Sequence, residues 1–205
     1  MNYLKFKKCL AEFTVFSLRD IRNIDPNFYR RRLNEWQDKG YIIKIVKGYY
    51  VFSDLEVNEN ILFSIANKIY NPSYISLEMA LAYYRLIPES VYNITSVSTR
   101  KTYRFKTKVA EFSFRSISPR LFFGYQIIKY AKGSFNIARA EKALLDYLYL
   151  NKHILTKDDF VSLRINREEI FKQIKKNRLY RMAKQFNQKK FFERIKSFWE
   201  FVSNA

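Results

Sequence analysis

The chain has 205 residues, of which 48% are hydrophobic and 18% aromatic, so it can form a packed core and is not globally disordered. Its 38 lysine and arginine residues, against 19 aspartate and glutamate residues, give a formal net charge of +19. The single histidine, His153, and the single cysteine, Cys9, exclude a multi-histidine metal site, a cysteine cluster and an internal disulfide framework, and the four dispersed glycines exclude a phosphate-binding glycine loop.

The first two predicted elements are helices. Residues 3–13 carry apolar side chains at roughly helical spacing, which predicts a supporting first helix. Ser17 with Asp20 three positions later is typical of a capping box, so a second helix is expected to begin there and to end near Ile24. Cys9 is expected to be a small buried apolar residue of the first helix.

A third helix is predicted between Asp25-Pro26 and Gly40. Aspartate can accept a hydrogen bond from a free backbone N–H group, proline fits the first helical position, and glycine favours the conformation that ends a helix. At 100° per residue, one side of this helix is expected to pack and the other to face outward. The packing side comprises Tyr29, Arg32, Leu33 and Trp36, and the outward side comprises Arg30, Arg31, Asn34 and Gln37.

Two β-prone runs follow this helix. Residues 41–46 and 49–52 are rich in β-branched and aromatic side chains and flank Lys47-Gly48, which predicts a hairpin. Helix, turn, helix and hairpin in this order predict a winged helix-turn-helix DNA-binding domain over residues 1–55, with a boundary near residues 53–58.

Residues 56–205 are predicted to form a mixed α/β part, 56–150, followed by a helical bundle, 151–205. The patterns in the first part predict helices over residues 57–69, 76–84 and 140–149, strands over 93–98 and 103–117, and a hairpin of 126–130 with 134–138 around residues 131–133. Capping-box patterns at Thr156/Asp159 and Asn166/Glu169 indicate helices in the second part. The expected fold class is α+β.

The excess of positive charge extends along the whole chain. Residues 1–55 carry 11 basic and 6 acidic side chains, 56–150 carry 13 and 7, and 151–205 carry 14 and 6. Such a field favours polyanions. Because no apolar run is long enough to span a bilayer and the N-terminus lacks a signal-peptide core, nucleic acid is favoured over a membrane, and we expect a cytoplasmic protein.

The outward side of the third helix is the predicted sequence-reading surface. Arginine suits guanine and amide side chains suit adenine in the major groove, so Arg30, Arg31, Asn34 and Gln37 are expected to contact bases. Phosphate contacts are predicted for Arg19, Arg22, Lys44, Lys47 and Tyr49. The alternative for the helix is a solvated charged face.

A second basic surface is predicted in residues 100–108. Five cations lie there with two aromatic residues among them, namely Arg100, Lys101, Arg104, Lys106 and Lys108. This mixture is typical of surfaces that bind single-stranded nucleic acid or an acidic protein patch, and equally of an edge strand whose lysines prevent aggregation.

No catalytic residue, metal site or cofactor is predicted. Arg139, Glu141, Lys142 and Asp146 could suggest a nuclease-like cluster, but the two carboxylates lie about 140° apart on a helix. We therefore interpret Glu141 as a helix-start carboxylate and Asp146 as a surface residue. His153 is interpreted as a loop or capping residue, because the sequence shows no partner base or nucleophile.

Two segments beyond the predicted winged helix resemble blocks of a known family. The first comprises residues 74–83, 86–89 and 95–100, and the second comprises Phe123-Gly124-Tyr125 with residues 137–146. Together with the N-terminal pattern, they resemble the AbiEi family of antitoxins, which are also described as transcriptional regulators of viral defence systems. The resemblance covers most of residues 1–150 and only loosely the helical tail. Ala140 stands where the family pattern has proline, a change that affects only how the helix starts.

The resemblance implies an antitoxin of an abortive-infection, phage-defence operon. Such a protein represses its own promoter and counteracts a nucleotidyltransferase toxin encoded beside it, and two copies are expected on repeated half-sites. Direct contact with the toxin, action on its substrate and transcriptional control alone all remain open. The alternatives are a nucleic-acid-processing enzyme that uses its winged helix for targeting, and an RNA-binding module.

Overall fold

The computed structural model describes residues 1–88, 91–131 and 133–204, and it has the expected α+β class. Six elements form its N-terminal part: α1 (Tyr3–Cys9), β1 (Phe16–Ser17), α2 (Leu18–Ile24), α3 (Arg31–Asp38), β2 (Ile42–Val46) and β3 (Tyr49–Phe52). The three strands form an antiparallel sheet in the order β1-β3-β2. The predicted hairpin around Gly48 is therefore confirmed.

Helix α2 begins as predicted. The Ser17 hydroxyl accepts a bond from the backbone N–H of Asp20 at 3.2 Å, and the Asp20 carboxylate accepts one from the backbone N–H of Ser17 at 2.8 Å. Helix α1 is shorter than predicted, since it ends at Cys9. The prediction that Cys9 is buried is wrong, because its side chain is exposed while Phe6 and Leu10 fill the core beside it.

Helix α3 begins five residues later than Asp25-Pro26 indicated, so that prediction is wrong. Asp25 instead ends α2, where its N–H donates to Ile21 O, and its carbonyl accepts the N–H of Phe28 in a turn. This turn places the Phe28 ring in the N-terminal core. Tyr29 consequently faces solvent with 63% of its surface exposed, contrary to its predicted packing role.

The predicted end of α3 at Gly40 is confirmed. Gly40 has φ +70°, the left-handed conformation that glycine adopts without a steric penalty. The N–H of Tyr41 donates to Trp36 O at 2.8 Å and the N–H of Gly40 to Gln37 O at 2.9 Å. This pair of bonds is the Schellman arrangement, and it directs the chain from α3 into β2.

The second part contains α4 to α10 and β4 to β9. Its elements are α4 (Glu59–Ile69), β4 (Ser73–Ile75), α5 (Leu77–Tyr83), β5 (Asn93–Ser98), β6 (Tyr103–Lys106), β7 (Glu111–Ser116), β8 (Tyr125–Tyr130), β9 (Gly133–Ala138), α6 (Ala140–Leu150), α7 (Lys157–Ser162), α8 (Arg167–Gln173), α9 (Lys176–Lys184) and α10 (Lys189–Asn204). The strands form one sheet in the order β6-β7-β5-β4-β9-β8. The β4–β9 and β5–β7 pairs are parallel and the others are antiparallel.

Every predicted strand of this part is confirmed, with β6 at one edge of the sheet and β8 at the other. Within the predicted turns, Glu89 and Lys132 lie outside the described residues. The capping box at Thr156 and Asp159 is confirmed. At Asn166 only half of the predicted box forms: its side chain accepts the N–H of Glu169, whose carboxylate pairs with Lys172 at 3.0 Å.

Two hydrophobic cores organise the chain. The N-terminal core contains Phe6, Leu10, Phe16, Ile21, Phe28, Leu33, Trp36, Ile42, Tyr50 and Phe52. The second core extends through the six-stranded sheet and the C-terminal helices, where α9 packs against α6 and α10 against α9. Val15, Ile45 and Val51 from the N-terminal part are buried in the second core, and the two parts are therefore in close contact. In the described ranges, no helix combines the length and apolar character needed to cross a bilayer.

Candidate nucleic-acid interface

The outer surface of α3 presents the residues that the sequence singled out. Arg30, Arg31 and Asn34 are exposed, while Leu33 and Trp36 on the opposite side are buried in the N-terminal core. Packing on one side therefore orients the polar side outward. Gln37 is only partly exposed, and its side-chain amide donates to Leu33 O at 3.0 Å, which leaves less of it for a partner.

The N-terminal end of α3 is electropositive. Arg30 occupies the N-cap without a side-chain cap, and no acidic residue lies in the first turn. The helix dipole adds to the charges of Arg30 and Arg31, an arrangement that favours a phosphate oxygen. Tyr29 lies beside them, exposed. Sequence periodicity missed this residue because it assumed that the helix already began at Pro26.

The other predicted DNA contacts divide into two groups. Arg19 and Arg22 on α2, and Lys44 and Lys47 on the hairpin, are exposed. Tyr49 is partly buried and packs against the second core.

The partial burial of Tyr49 follows from the hairpin register, which shifts between Lys44 and Val46. Ile45 enters the second core, so this face of the hairpin is used for packing and Tyr49 is less accessible than predicted.

The predicted second basic surface follows the edge strand β6. Arg100, Lys101, Arg104, Lys106 and Lys108 are all exposed, and we call them, with Tyr103, the basic edge. Tyr103 has 53% of its surface exposed and stacks on Tyr70, with ring centroids 6.4 Å apart and an interplanar angle of 19°. The Arg100 guanidinium lies over the Tyr70 ring at 4.2 Å.

Asp146 is not a surface residue, and that interpretation is wrong. It is fully buried with Lys142, with which it forms an ion pair. The hydroxyls of Tyr74 and Ser76 each donate to Asp146 Oδ2 at 2.9 Å, and Lys142 Nζ donates to the Tyr74 hydroxyl at 2.9 Å. We call these four residues the buried polar cluster.

Desolvation dominates the protonation equilibria of this cluster. Burial raises the pKa of the Asp146 carboxyl, against the opposing effects of Lys142 and the two hydroxyls. Burial also lowers the pKa of the Lys142 ammonium, against the attraction of Asp146. Burial, and next the negative charge of Asp146, raise the pKa of Tyr74 well above its ordinary value, so the phenol stays protonated and can donate.

Glu141 has a separate partner set. Its Oε1 accepts from the Arg178 guanidinium at 2.8 Å and from the backbone N–H of Lys175 at 3.1 Å. Glu141 is buried and links α6 to the start of α9. The predicted helix-start carboxylate therefore connects two helices, since it lies in the first turn of α6 and binds the start of α9.

The described ranges contain no group of three or more histidine, cysteine, aspartate or glutamate side chains that could hold a metal ion. His153 lies exposed in a turn, as expected. Of the four residues considered as a nuclease-like cluster, Lys142 and Asp146 form a buried ion pair, Glu141 pairs with the partly exposed Arg178, and Arg139 is exposed.

No protein-family model matches this chain. A search of curated proteins likewise returned no significant match.

Proposed function

We propose that the protein is a sequence-specific DNA-binding repressor of its own operon that also acts as an antitoxin. The observation that carries the DNA-binding part is the outer surface of α3, where Arg30, Arg31 and Asn34 are exposed opposite the buried Leu33 and Trp36. Such a face can enter the major groove, where arginine and asparagine pair with base edges.

The order of the N-terminal elements supports this proposal. Helices α1, α2 and α3 with the hairpin β2–β3 follow the order of a winged helix-turn-helix, in which the last helix reads the groove and the hairpin lies beside the backbone. One difference is the connection between α2 and α3, residues 25–30, because helix-turn-helix turns usually have about three to four residues. The longer connection exposes Tyr29 and Arg30 at the start of α3.

The antitoxin part of the proposal follows from the resemblance to the AbiEi family. Its two segments meet in space: Tyr74 and Ser76 come from the first, and Lys142 and Asp146 from the second. Gly124 closes over them, since a Cβ atom there would lie 3.2 Å from the side chain of Lys142. The resembling residues thus hold together one side of the second core.

The DNA-binding proposal predicts tight binding to the DNA upstream of the gene. A labelled duplex from that region and a scrambled duplex of equal length are titrated with the full chain at about 0.15 M salt, and anisotropy is recorded. The upstream duplex is expected to bind at least about 10³-fold more tightly, as specific sites usually do. Equal affinities for the two duplexes would contradict sequence-specific repression.

The antitoxin proposal predicts rescue of growth. Expression of a nucleotidyltransferase encoded beside this gene is expected to arrest growth, and co-expression of the full chain from an unrelated promoter is expected to restore it. The unrelated promoter removes transcriptional control from the measurement. Continued arrest with the chain present in the cell extract would leave repression as the only mode of control and contradict the antitoxin role.

A further inference from the structure

We infer that the basic edge is a second nucleic-acid site, separate from α3, that binds single-stranded DNA or RNA. The strand β6 is an edge strand of the six-stranded sheet, and β7 is its only neighbour among the described strands. Tyr103 exposes about half of its surface there, among five exposed cations. An exposed ring next to cations is what a chain of unpaired bases and phosphates requires.

The planar groups at this edge form a short stack. The Arg100 guanidinium lies 4.2 Å from the centroid of the Tyr70 ring, and Tyr103 stacks on Tyr70. The Phe105 ring lies beside this stack, tilted by 50° to Tyr103 with centroids 4.6 Å apart. The Tyr70 hydroxyl donates to Lys101 O at 2.6 Å, which holds the loop before β6 in place. Arg100 and Tyr103 therefore present positioned surfaces to a base.

The cations at this edge are mostly available to an anion. Of the five in the described structure, only Lys106 lies within ion-pair distance of a carboxylate, at 3.7 Å from Glu111, and it remains highly exposed. Arg104 and Lys106 point to the face of β6 opposite Tyr103, because successive side chains of a strand alternate at a rise of about 3.3 Å per residue. A single strand that crosses this edge can place a base against Tyr103 on one face and phosphates near both cations on the other.

Two simpler interpretations explain less of this surface. Edge protection against aggregation accounts for the lysines, but not for a ring that leaves apolar surface exposed at the same edge. Contact with duplex phosphates accounts for the cations, but the bases of a duplex are already stacked and would not use Tyr103. An exposed ring combined with exposed cations is therefore explained better by single-strand binding than by edge protection or duplex binding.

The experiment measures binding of the full chain to labelled oligothymidylate DNA, to oligouridylate RNA and to a duplex, each of about 12 nucleotides. Arg30→Ala/Arg31→Ala is present in every variant to reduce the contribution of α3. Tyr103→Ala is expected to weaken single-strand binding about tenfold and to leave duplex binding unchanged. Tyr103→Phe is expected to retain the affinity, because the ring remains.

Tyr92→Ala serves as the matched control, since Tyr92 is 90% exposed at a place outside the basic edge. This control is expected to leave the affinities for single strands and for the duplex unchanged. Arg104→Ala/Lys106→Ala is expected to weaken binding to single strands and to reduce its salt dependence. Binding of either DNA or RNA that Tyr103→Ala weakens supports the inference, and the tighter of the two identifies the source.

Three results would overturn the inference. The first is an unchanged single-strand affinity in Tyr103→Ala, and the second is an equal loss of affinity for single strands and duplex in that variant. The third is displacement of the bound single strand by polyglutamate as effectively as by an unlabelled oligonucleotide of equal charge. The last result would assign this edge to an acidic protein partner. Because α3 is already altered in every variant, failure of operator recognition cannot produce any of these results.

Discussion

Replacing Asp146 by alanine is expected to lower the free energy of unfolding by about 3–5 kcal/mol, because it leaves the ammonium group of Lys142 buried without its counter-charge. Both side chains are fully buried in the second core. The rings of Phe123 and Phe186, with centroids 5.0 and 5.3 Å from Lys142 Nζ, offset only a small part of that loss.

The same substitution leaves the hydroxyl protons of Tyr74 and Ser76 without their acceptor. Each buried donor without a partner adds a desolvation penalty of about 1–3 kcal/mol, part of which is already contained in the range for the broken ion pair. The free energy of unfolding is measured by urea denaturation at neutral pH, with tryptophan fluorescence as the readout. Trp199 reports on the second core and Trp36 on the N-terminal core.

Two controls make this prediction specific. Asp146→Ala combined with Lys142→Met removes both charges and is expected to lose much less stability than Asp146→Ala alone. Glu193→Ala breaks an exposed pair with Lys196 and is expected to change stability by less than about 1 kcal/mol. If the double variant were as unstable as Asp146→Ala, the loss would come from packing and not from an unpaired charge.

Replacing Arg30 and Arg31 together by alanine is expected to weaken binding to the upstream duplex on the order of 100-fold. A bidentate contact between an arginine and guanine contributes about 1–3 kcal/mol of discrimination, so two lost contacts remove most of the preference for the cognate sequence. Both side chains are exposed, so the fold is expected to be unchanged. Anisotropy titrations with the cognate and scrambled duplexes measure the effect.

Lys189→Ala/Lys190→Ala is the matched control, because it removes two exposed positive charges at the start of α10. This control is expected to reduce the affinities for the cognate and scrambled duplexes equally and by a small factor, since only long-range attraction is reduced. Asn34→Ala is expected to relax specificity with little change in nonspecific binding. A loss in Arg30→Ala/Arg31→Ala no larger than in the control would show that α3 does not read sequence.

Local sequence was sufficient for most individual elements. The capping boxes at Ser17 and Thr156 act within four residues, so the residues that form them are visible in the sequence itself. The same holds for the hairpin at Gly48, and for β5, whose bounds of Asn93 and Ser98 were predicted without error. Alternation along a strand also reports its half-buried face directly.

The sequence failed where a distant partner decided the outcome. Asp25-Pro26 has the chemistry of a helix start, but burial of Phe28 in the N-terminal core delays α3 to Arg31. Asp146 has the appearance of a surface residue on an amphipathic helix. Helix α6 is buried on nearly every side, since its polar residues find partners in other elements.

The sequence by itself determined the α+β class, most of the helices and strands and the excess of positive charge, but not the short strands β1 and β4. Only the tertiary structure decided which charged residues are surface and which are core. Tyr74 and Ser76 meet Asp146 across about 70 positions of chain, and Arg178 reaches Glu141 across 37. Periodicity describes one helix or strand at a time, whereas the burial of a charge depends on what packs against it from every side.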